Sequence, residues 1–297
     1  MHRHIAIIVN PYSGGKRAKT VLPEIKLALQ RRDLSYDLLL TERHNHAIEL
    51  ASQLDPGKYD ALVAVGGDGT NFQMLNGLLG MYPDAELPPL GVIPIGSGNS
   101  FALDLEIHNI DQGIARVVDG ETRPVDVCYF TQGDMRHYFV NLMGFGFVTD
   151  VAATAAKFKS LGDMSYIIGV LRRTVGLSFH QLEMELDGEL ITAKNCFVEF
   201  CNSRFTGGNM CIAPDAKIDD GYFDVVVLGN LTRRSLLRTF PKIFKGTHGE
   251  NPAVQFFRGK RAIVRTTPVK PLLPDGELFG ATPTEVGILP QRVNYLA

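Results

Sequence analysis

The chain opens with a continuous apolar run, Ile5-Ala6-Ile7-Ile8-Val9, that stops at Asn10-Pro11. Ala61-Leu62-Val63-Ala64-Val65 stops in the same way at Gly66-Gly67, and Leu90-Gly91-Val92-Ile93-Pro94-Ile95 stops at Gly96. Runs that are apolar at every position and closed by turn residues read as strands covered on both faces. Between them the period changes. Val21, Ile25 and Leu29 recur at four-residue steps, and Ala47, Leu50 and Ala51 fall on one helical face. Strand alternating with helix predicts a parallel sheet with right-handed crossovers over residues 1–124.

From Val125 the pattern switches to short alternating strands. Leu182-Glu183-Met184-Glu185-Leu186 and Glu189-Leu190-Ile191-Thr192 flank Asp187-Gly188, the dipeptide a tight primed hairpin turn prefers. A β-rich second domain is therefore expected over 125–282. Two helical stretches interrupt it, at 149–176 and 232–245, the second bent at Pro241. Residues 283–297 are strand-like again and have no linker of their own.

Composition narrows the class. A length of 297 residues suits two domains, and 45% hydrophobic with 21% charged residues is a globular balance. Thirty Lys and Arg against 32 Asp and Glu leave a net charge of −2, so no field draws the whole molecule to nucleic acid, and no nucleic-acid partner is expected. Cys128, Cys196, Cys201 and Cys211 form no CxxC pair and lie in or beside apolar runs, which reads as buried thiols in a reducing, cytoplasmic setting. No run approaches the roughly 20 apolar residues of a membrane span. The five apolar residues after His4 are too few for a signal-peptide core. A soluble or peripheral protein is expected. His44 and His46 stand in a loop without partner carboxylates or thiols and read as surface residues.

Glycine is distributed unevenly. Eight of the 30 glycines fall between Gly66 and Gly98 (66, 67, 69, 77, 80, 91, 96 and 98), where even spacing would give about three. Gly66-Gly67-Asp68-Gly69-Thr70 and Gly96-Ser97-Gly98-Asn99 each follow a buried strand and precede a helix-like stretch. That arrangement offers free backbone N–H groups and a helix N-terminus to phosphate. Asn10-Pro11-Tyr12-Ser13-Gly14-Gly15-Lys16 follows the first strand, so all three loops belong at carboxyl ends of parallel strands, where open α/β sheets bind ligands. A Walker A loop does not fit, since Asn10 stands where its first glycine belongs and Arg17 follows Lys16. No GxGxxG with a distal acidic residue occurs either. Each loop alone reads equally as a tight turn. Asp68 among phosphate-binding amides would repel the ligand unless a cation lies between them, which points to Mg²⁺ carried with a nucleotide.

These motifs, with Ala213-Pro214-Asp215-Ala216, Asp219-Asp220-Gly221 and Asp275-Gly276-Glu277, stand in the order found in the diacylglycerol kinase catalytic-domain family. The chain resembles that family, with its sphingosine, ceramide and bacterial YegS- and DgkB-type lipid kinases, along nearly its whole length. The 66–70 loop by itself is shared with NAD kinases and phosphofructokinases. The resemblance implies an α/β nucleotide-binding domain of the NAD kinase and phosphofructokinase kind, a C-terminal β-sandwich domain for the lipid, residues 283–297 returning to the first domain, and ATP in the cleft between the two. By the same resemblance Asn10, Thr41, Gly66, Gly67, Asp68, Gly69, Thr70, Ser97 and Asn99 bind nucleotide. Asp275 is the proton acceptor, with Glu277 beside it. Asp220 with the main-chain carbonyls of Lys217 and Tyr222 holds a structural Mg²⁺, and Asp126 and Lys159 belong to a polar network. One departure stands out: Ser100 replaces the aspartate usual after the asparagine of the second loop in bacterial diacylglycerol kinases, a form closer to sphingosine kinases.

Phosphoryl transfer needs positioning and charge neutralisation. Backbone donors, acidic residues for Mg²⁺ and the cations Lys16 or Lys159 supply the parts. An alcohol acceptor needs a carboxylate to take its proton, with Asp275 first and Asp68 second in line. Residues 231–249 carry Arg233, Arg234, Arg238, Lys242 and Lys245 interleaved with Leu236, Leu237, Phe240, Ile243 and Phe244. This is an amphipathic helix that either lies on anionic lipid or packs on the β domain with a solvated basic face. The expected activity is ATP- and Mg²⁺-dependent phosphorylation of a lipid hydroxyl at a membrane surface, with transient peripheral contact. Diacylglycerol leads, and a sphingoid base or polyprenol is an alternative. The rival readings are an NAD kinase and a non-catalytic nucleotide or lipid sensor. The oligomeric state is open, a homodimer among the options.

Overall fold

The computed structural model describes residues 3–15, 17–32, 34–96, 98–161 and 164–297, and for 159–161 the backbone alone. The chain divides into two compact units, residues 1–125 with 291–297 and residues 126–290.

In the first unit the elements alternate as the apolar runs predict. They are β1 His4–Val9, α1 Arg17–Gln30, β2 Ser35–Leu40, α2 His46–Gln53, β3 Ala61–Gly66, α3 Asp68–Met81, β4 Leu90–Pro94, α4 Ser100–Asp104 and α5 Ile110–Asp119. The parallel strands stand in the order β2-β1-β3-β4. β1, β3 and β4 are buried almost throughout, as strands roofed by helices on both faces must be. The period-four residues of α1 do what their spacing requires: Ile25 and Leu29 are buried against Ile7, Val63, Val65 and Ile93, with Val21 packed at the edge. Gly77 lets α3 approach α2 so closely that a Cβ would fall 2.7 Å from that of Ala51. The glycine excess therefore serves helix packing as well as loops.

The second unit is built mainly of antiparallel strands. β5 Thr122–Gln132 leads into it, followed by β6 Met135–Phe139, β7 Leu142–Gly146, α6 Phe147–Ala155, a 3₁₀ turn at Ala156–Leu161, α7 Met164–Thr174, β8 His180–Leu186, β9 Glu189–Cys201, the short pair β10 Phe205–Thr206 and β11 Met210–Cys211, β12 Phe223–Gly229, α8 Arg233–Ile243, β13 Val254–Gly259, β14 Arg261–Thr267, β15 Leu272–Pro274 and β16 Thr284–Leu296. β9 is the spine, with β12 along one side and β8 and β7 sharing the other. The predicted hairpin is present: Asp187 and Gly188 take φ 49° and 90°, and Leu186 pairs with Glu189. On one face α6, α7 and α8 bury Val151, Val170, Leu236 and Phe240 against Phe197 and Cys201. α8 runs through Pro241 to Ile243.

The return to the first unit begins at Gln291 and not at 283, because Thr284–Gly287 pair with β14 inside the second unit. Beyond that point Tyr295 aligns with Leu90, parallel to β4.

Candidate active site

Three turns of the first unit meet at one place. Asn10 ends β1, where its N–H donates to the Val65 carbonyl and its Oδ1 accepts the Tyr12 N–H, both at 3.0 Å, folding the loop back on itself. Thr41, buried after β2, donates its N–H to the Val9 carbonyl at 2.9 Å and so stands beside Asn10. Gly14 lies against the Ile95 carbonyl where a Cβ would clash. Gly67 and Gly96 face each other so closely that a Cβ on Gly96 would come 2.5 Å from the Gly67 Cα. The Gly66 carbonyl accepts the N–H groups of Ile95 at 2.7 Å and Gly96 at 3.2 Å, locking the second loop to the first. The buried Thr70 hydroxyl sits under Gly66.

Both Asp68 oxygens take part. Oδ2 accepts the Ser100 N–H at 2.9 Å and Oδ1 the Phe101 N–H at 3.2 Å, so the carboxylate ties the 66–70 loop to the start of α4. Burial raises its pKa, and these two N–H donors partly offset that rise. Ser100, where the resemblance led one to expect a carboxylate, is itself buried and supplies one of the donors. Asn99 donates to the Gly96 carbonyl at 2.7 Å, while its buried Oδ1 has no partner. Behind the loops lies a small open pocket lined by Gly66, Gly67, Asp68, Asn71 and Asn99. Tyr295 buttresses this region: its hydroxyl donates to Asn71 Oδ1 at 3.0 Å and its ring packs edge-on to Phe101 at 4.9 Å. No motif marks Tyr295, because its role depends on a chain return of more than 200 residues. Lys16 and Ser97 lie outside the described residues.

The second unit holds its own constellation. Asp275 follows β15 at φ 44° and is buried. Its Oδ1 accepts the N–H groups of Asn141 at 3.1 Å and Leu142 at 3.0 Å, its Oδ2 that of Val140 at 3.3 Å, and its own N–H donates to the Leu142 carbonyl at 2.8 Å. Three converging N–H donors fix the orientation of the carboxylate. The 140–142 segment is itself clamped. Asn202 Nδ2 donates to the carbonyls of Val140 at 2.9 Å and Asp126 at 3.0 Å, and the Ser203 hydroxyl donates to Asn141 Oδ1. Burial, then the charges of Asp126 and Asp275, push the neighbouring Cys128 thiol well up. Asn141, Asn202 and Ser203 escape a sequence reading because they sit at strand ends with no spacing to announce them. Glu277 is half-buried, with its N–H on the Pro274 carbonyl at 2.8 Å. The side chain of Lys159 lies outside the described residues.

Asp126 is fully buried and links this network to 217–222: its Oδ2 accepts the Gly221 N–H at 2.6 Å, and its main-chain N–H donates to the Ile218 carbonyl at 2.7 Å. Asp220 accepts the Tyr222 N–H at 3.1 Å and pairs with Arg258. Burial pushes Asp224 up to about 6, a rise that the charges of Asp220 and Asp215 add to and Arg258 opposes. Asp220 is already paired with Arg258, so a hard divalent cation there would have to share the carboxylate with that guanidinium. Among the described residues no cluster of three or more His, Cys, Asp or Glu side chains is poised for a metal.

Loops of this kind, stacked at the ends of parallel strands, have the form of a phosphate-binding α/β unit, and the second unit holds a cradled carboxylate. The sequence comparisons make the class specific. A model of the diacylglycerol kinase catalytic domain matches residues 4–130, and one of the YegS C-terminal NAD kinase beta sandwich-like domain matches 141–297. The chain belongs to this family of lipid kinases. A diacylglycerol kinase of Staphylococcus epidermidis is 29% identical over 297 residues, covering 99% of this chain and 92% of that protein. One of Staphylococcus aureus is 29% identical over 301 residues, covering 100% and 93%. A crystal structure of a candidate diacylglycerol kinase from Bacillus anthracis superposes with a TM-score of 0.83 at 25% identity, covering 99% and 97%. No helix among the described residues is long and apolar enough to cross a membrane.

Proposed function

We propose that the chain transfers the γ-phosphate of ATP to the primary hydroxyl of diacylglycerol, giving phosphatidic acid. The observation that carries the nucleotide half is the contact of Gly67 with Gly96, which fuses two loops into one bed of backbone donors. Asp275 supports the other half. Held by three N–H groups in a fixed orientation, it takes the proton of the lipid hydroxyl as the new P–O bond forms. Asp220 with the carbonyls of Lys217 and Tyr222 would hold a structural Mg²⁺, which when bound would offset the acidic side chains of that segment.

Access to lipid is supported by α8. It buries Leu236 and Phe240, exposes Arg233, Arg234 and Arg238, and leaves Leu237 and Phe244 about 40% exposed. The helix therefore packs on the unit with an exposed basic face, and its outward Leu237 and Phe244 would suit transient contact with anionic bilayers.

The test is incubation with γ-labelled ATP, Mg²⁺ and mixed micelles containing diacylglycerol, with NAD in a parallel reaction. Labelled phosphatidic acid is expected. Labelled NADP would favour the NAD kinase reading, and ATP binding without any product the sensor reading.

A further inference from the structure

A cation entering at Asp220 would meet one already seated there. β13 is the last strand on its side of the sheet, and the guanidinium of its Arg258 pairs with Asp220 Oδ2. The other oxygen, Oδ1, accepts the Tyr222 N–H at 3.1 Å, so one carboxylate joins the 217–222 turn to the strand. Arg258 also lies over the Tyr222 ring, with its Cζ 4.5 Å from the centroid, and Lys260 Nζ stands 4.4 Å from the same centroid. Both are cation–π distances. Side chains two apart along extended chain point the same way, which is why two cations reach one ring. Directly across from Arg258 in the register stands Asp224 of β12, and facing residues of opposite charge stabilise a sheet.

These contacts already perform the work of a structural metal. A divalent ion at Asp220 would have two tasks, to offset the acidic side chains and to tie the carboxylate to the backbone of the turn. Arg258 brings the positive charge, and the bond from the Tyr222 N–H makes the tie. From the interior Asp126 completes the frame by accepting the Gly221 N–H at 2.6 Å, at a glycine with φ 74°. A guanidinium suits the place, being planar, weakly hydrated and able to bond a carboxylate while it lies on an aromatic face. Mg²⁺ gives up its water reluctantly and would arrive beside two positive side chains that repel it. The Asp220 side chain is 22% exposed and that of Arg258 47%, which leaves the guanidinium room to swing aside.

We propose that Arg258 is the resident counter-ion of the 217–222 turn, holding it in shape without metal, and that a divalent cation binds at Asp220 only by displacing this guanidinium. The proposal rests on the reading of Asp220 as a cation site and is independent of which lipid is phosphorylated. Arg258 is a positioning residue and takes no part in bond making.

The experiment uses protein free of nucleotide and lipid. Melting temperature is measured in excess EDTA and in millimolar Mg²⁺, and Mg²⁺ affinity by calorimetry, for the wild type, Arg258→Gln, Asp220→Asn and the double variant. The wild type should melt at the same temperature in both solutions. Arg258→Gln changes an exposed side chain to a neutral polar one and should fold. In EDTA it should melt about 2–4 °C below the wild type, the shift expected for one partly exposed ion pair, and Mg²⁺ should restore the loss. It should also bind Mg²⁺ about 10-fold more tightly than the wild type, with the gain abolished in the double variant. A wild-type melting temperature that falls in EDTA, with the fall absent in Asp220→Asn, overturns the inference. So does an Arg258→Gln protein whose Mg²⁺ affinity equals that of the wild type. Either result leaves the diacylglycerol kinase reading standing, because that reading is decided by labelled product from ATP and lipid.

Discussion

The tripeptide Asp-Gly-Glu occurs three times; at 119–121 it closes α5, and the two remaining copies, at 187–189 and 275–277, share a backbone conformation. Asp187 and Gly188 have φ 49° and 90°, Asp275 and Gly276 φ 44° and 86°. In both copies the aspartate captures main-chain N–H groups of another segment. Asp187 takes those of Lys260 and Arg261, at 2.9–3.2 Å, and Asp275 those of Val140, Asn141 and Leu142. The difference lies in the surroundings. Asp187 is exposed, whereas Asp275 is buried in a cradle held by Asn202 and Ser203. Local sequence sets the turn, and long-range packing decides whether its carboxylate is a staple or a reactive group.

The sharpest way to break this contrast is to neutralise each aspartate. Asp275→Asn should lower kcat about 10²- to 10⁴-fold, the usual share of a positioned base, with ATP affinity by calorimetry unchanged. Asp187→Asn should leave turnover within two-fold. Equal losses would mean that Asp275 is only a staple as well.

A third buried carboxylate sharpens the comparison, because Glu199 has burial without donors. Its folded pKa of about 8 lies above the ordinary 4.5, so the folded chain binds the extra proton between those values. Stability is therefore greatest below pH 4.5 for this group and falls as pH rises toward 8, by on the order of 4 kcal/mol. Urea unfolding at pH 5, 6.5 and 8 should show the fall in the wild type and a flatter profile in Glu199→Gln. Parallel profiles would place a partner on Glu199.

Much of the first unit was legible in the sequence because its signals are local. Continuous apolar runs such as Ala61–Val65 can only be doubly covered strands, and loops with paired glycines mark where backbones meet. The hairpin at Asp187-Gly188 was legible for the same reason. The second constellation was not: Asp275 and Asp187 are indistinguishable over three residues, and the groups that separate them lie about 70 to 135 positions away. Tyr295 and Glu199 were hidden too. An aromatic in a strand and an acid among apolar residues acquire meaning only once the register places Asn71 beside one and Gly144 beside the other.

Replacing the glycines tests the shared half of the comparison. Gly188→Ala and Gly276→Ala put a Cβ where φ is near 90° with no neighbouring atom to meet it, so strain is the only cost. Each should lose about 1–2 kcal/mol of stability by denaturant titration. Activity should fall only in Gly276→Ala. Unequal stability losses would show that the turns differ locally as well.

The smallest expected effect probes the layer behind the cradle. Ser203 reaches Asp275 through Asn141. Its hydroxyl donates to Asn141 Oδ1, and the Asn141 N–H donates to Asp275. Ser203→Ala removes one hydrogen bond, worth about 1 kcal/mol, from the segment that aims the carboxylate. If aim is what distinguishes Asp275 from Asp187, kcat should drop about five-fold with KM for the lipid unchanged, since substrate contacts stay in place. The counterpart at the other turn is Arg261→Ala, which removes an exposed pair with Glu285 and leaves the N–H groups on Asp187 intact. Both kinetic constants should stay at wild-type values. A fall in kcat for Ser203→Ala matched by an equal rise in KM would mean that Ser203 shapes the lipid site and not the base.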